Sequence, residues 1–120
     1  MIDTLFTVHA WIRWPVLVLG GLGLIEVLLG GIRGRRLVWL PVLFVSLLDI
    51  QLLLGASLWI LDAVARSEAL RHALVMLVAV AGAHYFRIRA RRLPGAARGF
   101  ELAGYLFPLL LITLGITVLL

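Results

Sequence analysis

The chain has 120 residues, of which 63% are hydrophobic and only 14% charged. Soluble domains are about half apolar and about a quarter charged, so most of this surface cannot face water and an ordinary soluble domain is excluded. The absence of cysteine removes disulfides, thiolate metal sites, thiol nucleophiles and covalently attached c-type heme. The net charge of +5 comes from arginine, with no lysine, and in so apolar a chain it reads as membrane topology rather than nucleic-acid binding.

A hydrocarbon core takes about 20 helical residues to cross, and four such spans joined by short turns use nearly the whole chain. The expected class is an all-α membrane protein: a single four-transmembrane-helix, up-down-up-down bundle. The first span is expected over 5–32, with Pro15 kinking or restarting it and the run Gly30-Gly31-Ile32-Arg33-Gly34-Arg35-Arg36 ending it. Asp3 in place of a basic leader, and the length of the apolar run, argue against a cleavable signal peptide. The second span is expected over 37–61, with Pro41 tolerated in its first turns. A polar turn over 62–71 leads to a third span over 68–88. Residues 89–99 form a basic loop around Pro94-Gly95, a strong turn signal. The fourth span is expected over 100–120, bent at Pro108.

Arginine orients the bundle. The loop between the first two spans carries Arg33, Arg35 and Arg36, and the end of the third span and its following loop carry Arg87, Arg89, Arg91, Arg92 and Arg98. The middle loop has only Arg66 and Arg71, offset by Asp62 and Glu68. Cytoplasmic loops collect Arg and Lys, so both termini are expected on the non-cytoplasmic side of a bacterial inner (plasma) membrane.

Ionisable side chains inside a span are rare and are functional candidates by default. His9 lies about one turn below the outer end of the first span, and His72 about one turn below the outer end of the third. Their depths match, and the first and third helices of an up-down bundle are diagonal. That arrangement suits the two axial ligands of one b-type heme (heme b) held in a bundle core. Counting about 100° per residue places Arg13, Val16, Gly20, Gly23 and Val27 on the His9 face, and Met76, Ala79 and Ala83 on the His72 face. Small residues leave space for a flat macrocycle, although they serve plain helix packing equally well. Arg13 is placed either to bind a heme propionate or to snorkel to the outer headgroups, and Trp11 and Trp14 beside it read as an interfacial belt.

Asp49 lies near the middle of the second span, with Ser46 on nearly the same face and Gln51 on the opposite one. A carboxylate at that depth has to be neutral, paired or wet, so Asp49 is a candidate for carrying protons, contacting a quinone, or pairing with His84 or an arginine. The simpler reading of His84 is an inner-interface histidine beside Tyr85 and Arg87. Glu26, about 100° from the His9 face, is expected to pair with an arginine of an inner loop. The fourth span has Tyr105, Thr113 and Thr117 but no buried charge, and reads as scaffold. No catalytic motif is present, and four helices without an inverted repeat argue against a self-sufficient transporter.

Three short runs resemble a group of small bacterial four-helix membrane proteins labelled cytochrome b. They are His9-Ala10-Trp11-Ile12-Arg13-Trp14, Asp49-Ile50-Gln51-Leu52-Leu53-Leu54-Gly55 and Arg71-His72-Ala73-Leu74-Val75-Met76. The group has a His followed by Arg in the first helix, an H-I-Q-L-L-L-G-like run in the second and an E-H-P-x-M-M-like run in the third. The likeness covers most of the chain and departs from the pattern at Asp49, Arg71 and Ala73. The layout is also similar to one half of a heme A synthase, where histidines on the first and third helices hold the heme near the outer face. The resemblance implies heme ligation by His9 and His72, with the helix-2 ligand position altered to Asp49.

These readings give three expected functions. The first is a b-type heme protein for electron transfer, or the heme-carrying subunit of a respiratory or photosynthetic complex. The second is a cofactor-free accessory subunit of a larger membrane complex. The third is a quinone- or proton-handling site around Asp49 and His84. Expected partners are membrane lipid and either other membrane subunits or further copies of the chain.

Overall fold

A computed structural model of the chain describes residues 2–31, 33–61 and 66–117. Helix α1 spans Ile2–Leu29, α2 Trp39–Leu61, α3 Arg66–Arg92 and α4 Ala97–Thr117, with one 3-10 turn at Pro94–Ala96 before α4. All four helices are long and apolar enough to cross a membrane. The protein is therefore an all-α membrane bundle, 49 × 23 × 22 Å. Large apolar side chains such as Trp11, Leu29, Leu53 and Val38 stand exposed around it; water would penalise them, and lipid does not.

Helix α1 packs on α2, α2 on α3, α3 on α4 and α4 on α1, while the diagonal pairs share no close backbone contact among the described residues. The core is a central column: Val16 and Val27 of α1, Phe44 and Leu48 of α2, Val80 and Ala83 of α3, Tyr105 and Ile112 of α4. Helix α1 meets α4 through glycine. A methyl group at Gly20 would lie 2.6 Å from Leu109, and one at Gly23 would strike the Tyr105 ring. The expectation that these two glycines clear space on the His9 face is corrected: they let α4 approach, as small residues do between membrane helices.

Helix boundaries differ from expectation where end chemistry governs them. Helix α1 runs unbroken through Pro15, which is exposed, so its ring points outward and the helix neither restarts nor ends there. It stops at Leu29 rather than at 32, because Gly30 takes φ 74° and closes a Schellman cap: Gly31 N donates to Glu26 O at 2.9 Å and Gly30 N to Val27 O at 3.2 Å. Helix α3 continues to Arg92, past the expected 88; Arg89, Arg91 and Arg92 fill its last turn, where cations complement the helix dipole. Helix α4 starts at Ala97 rather than 100. The expected spans' residues Ile32 and 118–120, and residues 62–65 of the polar turn, lie outside the described residues.

Candidate functional site

One face of α1 presents Phe6, His9, Ala10, Arg13 and Val16 at helical spacing, and one face of α3 presents His72, Met76, Ala79 and Val80. With Leu48, Gln51 and Leu52 of α2 and Ile112 of α4 they enclose a cavity of about 130 Å³. His9 and His72 meet inside it with ring centroids 6.5 Å apart and ring planes at 88°, so the two side chains bridge the bundle diagonal that the backbones leave open. Glycine stands behind each ring. A methyl group at Gly55 of α2 would lie 3.3 Å from His9 Cε1, and one at Gly115 of α4 would lie 3.6 Å from His72 Nδ1.

Four buried side-chain polar atoms have no hydrogen-bond partner among the described residues: His9 Nδ1, Arg13 Nε, Gln51 Oε1 and His72 Nδ1. All four residues line this one cavity. A buried polar atom left unpaired costs about 1–3 kcal/mol, and native structures keep such atoms rare. Their concentration in one place marks a site that a ligand or ordered water completes. Gln51, assigned to the face opposite Asp49, reaches α1 here: its Nε2 donates to the His9 backbone carbonyl at 2.8 Å. That bond ties α2 to α1 at the level of the His9 ring. Arg13 lies half-buried, with its guanidinium carbon 5.2 Å from the centre of the Trp14 ring.

The two histidines with Arg13 beside them would suit a heme rather than a bare metal ion. Among the described residues no three His, Cys, Asp or Glu side chains converge on a metal position, whereas a heme would need only the pair His9 and His72 from the protein. Arg13 offers a guanidinium donor for a carboxylate. The volume is the constraint: about 130 Å³ is below the roughly 300–1,000 Å³ of ordinary ligand pockets. Leu48, Leu52 and Ile112, which line the cavity, would have to withdraw to admit a heme held by His9 and His72.

Asp49 and His84 form a second polar pair, His84 Nε2 to Asp49 Oδ1 at 2.9 Å, each side chain 46% exposed. Of the partners open to Asp49, His84 is the one it meets, so His84 reaches across to α2. The pair faces outward, so it belongs to the rim between α2 and α3 and not to the histidine cavity.

At the arginine-rich end Glu26 is 3% exposed and holds the α1–α2 connection. Its carboxylate accepts Arg36 Nε at 2.8 Å and the Leu37 backbone N–H at 3.0 Å. Arg36 Nη2 also donates to Glu101 at 2.6 Å, which links that connection to α4. Arg36 is held further above its usual range, first by Glu26 and then by Glu101. Sequence reasoning found the Glu26 partner but missed Glu101, which sits in the first turns of a helix read as scaffold. Arg98 Nη2 adds a bond to the Leu28 carbonyl at 3.0 Å, one of the open carbonyls at the end of α1.

No protein-family model, curated protein or solved structure matches this chain.

Proposed function

We propose that the chain is a b-type heme protein of a bacterial inner membrane that carries electrons, alone or as one subunit of a respiratory or photosynthetic complex. The observation that carries this reading is the meeting of His9 and His72 across the bundle diagonal, centroids 6.5 Å apart, in the cavity that holds the four unpartnered buried polar atoms. The resemblance of three short runs to small four-helix cytochrome b-like proteins supports it. Bound heme supplies one-electron exchange. The protein's own part is to hold two imidazoles in place, to fix α2 against His9 through Gln51, and to offer Arg13 to an acidic group. The dry surroundings raise the cost of an uncompensated charge and so govern the potential. Arginine asymmetry between the two ends supports an orientation with the arginine-rich end cytoplasmic and both termini outside. The test is a reduced-minus-oxidised absorption spectrum of the purified protein expressed with ample heme. A split, sharp low-spin b-type signal is expected; a protein that stays colourless and yields no heme to acid acetone overturns the reading.

A second reading rests on the Asp49–His84 pair. An exposed carboxylate–imidazole contact in the middle of two apolar spans is costly in lipid, and a proton-carrying or quinone-contacting role accounts for keeping it. Asp49→Asn is expected to leave heme content unchanged while impairing quinone-linked reduction of the protein. Unimpaired reduction in that variant rejects this reading.

A further inference from the structure

A second cavity lies at the other end of the bundle from the histidines, and the heme reading makes no use of it. It encloses about 470 Å³ between the α1–α2 connection, the end of α3 and the start of α4, within the range of ligand pockets. Its walls divide into two kinds. One is apolar and aromatic, with Phe44, Phe100 and Pro41; the other is charged, with Arg36, Arg87 and Arg91 against Glu26 and Glu101. With all five ionised the lining has three positive and two negative charges, an excess of one positive charge.

The arginines are not equivalent. Arg36 is committed to Glu26 and Glu101, and both carboxylates are occupied by it. Arg87 and Arg91 lie one turn apart on α3 and have no carboxylate partner among the described residues. They are adjacent members of one helix face and line a cavity whose two acids share the single cation of Arg36, so the Glu26–Arg36–Glu101 bridge keeps one net negative charge. The two guanidiniums exceed that negative charge by one, and with the apolar wall of the same cavity they recognise an anion attached to something apolar. Guanidinium forks match phosphate oxygens in geometry as well as charge, and basic pockets between membrane helices take lipid headgroups in this way.

We infer that this cavity is a binding site for a phosphate group, held by Arg87 and Arg91 above the Glu26–Arg36–Glu101 bridge. The phosphate comes from the headgroup of an anionic phospholipid, whose apolar part lies against Pro41 and Phe100, or from free inorganic phosphate. The inference is independent of heme.

The test is thermal unfolding of the full chain, purified in a neutral detergent. Phosphatidylglycerol, phosphatidylcholine and inorganic phosphate are titrated separately, against wild type, Arg87→Gln, Arg91→Gln and the control Arg35→Gln. Arg35 lies in the same basic connection but outside the cavity lining. Saturating phosphatidylglycerol is expected to raise the midpoint by about 5–10 °C. Arg87→Gln and Arg91→Gln are each expected to weaken the half-saturating concentration about fivefold, and Arg35→Gln is expected to leave it unchanged. A rise with phosphatidylglycerol alone assigns the phosphate to lipid; an equal rise with inorganic phosphate assigns it to the free anion. The inference is overturned by the absence of any rise with either, or by an Arg35→Gln loss as large as that of the two cavity variants, which marks diffuse surface attraction. Midpoints measured without ligand identify a variant that is merely unstable.

Discussion

His9 and His72 meet with ring planes nearly perpendicular and centroids 6.5 Å apart, although α1 and α3, which carry them, share no close backbone contact among the described residues. The contact depends on what stands behind each ring. Side chains that long reach a partner across a bundle only if the flanking helices leave room, and here Gly55 of α2 and Gly115 of α4 leave it.

Filling that room is expected to dislodge the site. At Gly55 a methyl group would lie 3.3 Å from His9 Cε1, whereas at Gly21 nothing lies within 4 Å. Gly55→Leu therefore drives His9 off its position, while Gly21→Leu projects into lipid. The heme-to-protein ratio after purification is expected to fall at least tenfold for Gly55→Leu and to hold for Gly21→Leu.

The small volume of the histidine cavity gives the opposite expectation for its wall. Ile112 is 6% exposed and closes the cavity from α4. Ile112→Ala removes buried packing and is expected to lower the stability of the heme-free protein by about 2–4 kcal/mol. The same change widens the cavity across the His9–His72 axis. Heme titration is expected to give affinity equal to or tighter than wild type, with the loss of stability read from unfolding of the heme-free form.

The bridge at the arginine-rich end is expected to be unequal in its two halves. The Glu26 side chain is 4% exposed, and Glu26→Gln leaves Arg36 and the Leu37 N–H poorly matched, at a cost of about 1–3 kcal/mol. Glu101 is 31% exposed and Arg36 45%, so Glu101→Gln costs only about 0–1 kcal/mol. Arg36 is a cation whose folded value is raised. Its contribution is fully present below the ordinary arginine range and is lost only at higher pH. The difference between wild type and Glu26→Gln is therefore expected to stay constant from neutrality to about pH 9. Midpoints of thermal unfolding in detergent check both the order and the pH independence.

The outward Asp49–His84 pair is expected to behave as a unit. Removing one partner leaves a lone polar group in the span, and removing both with apolar residues leaves none. Asp49→Leu and His84→Leu are each expected to lower the unfolding midpoint, and the double variant to recover most of the loss. Additive losses in the double variant count against a direct pair.

Apolar run length made the four spans legible, because a lone segment of about 20 apolar residues satisfies its own backbone in lipid only as a helix. The Glu26 partner was legible too, since a deep acid near a run of arginines has few alternatives. Periodicity failed where it had to name a neighbour. Counting residues around α1 put Gly20 and Gly23 on the His9 face, but it carries no information on which helix lies against that face, and α4 does. The same limit hid Gln51, whose bond to the His9 carbonyl depends on the rotation of α2. It hid Glu101 as well, whose role appears only when α4 is set beside the α1–α2 connection. Local cap geometry, set by Gly30 and by the arginines of α3, moved the helix ends by a few residues.

The most direct measurement is the heme content of three purified proteins, wild type, His9→Ala and His72→Ala, by pyridine hemochrome against protein concentration. The expected result is about one heme per chain in wild type and near-complete loss in either variant, with all three folded by circular dichroism. Heme retained at the wild-type level in both variants, or absent from wild type itself, contradicts the assignment of His9 and His72 as a shared heme site.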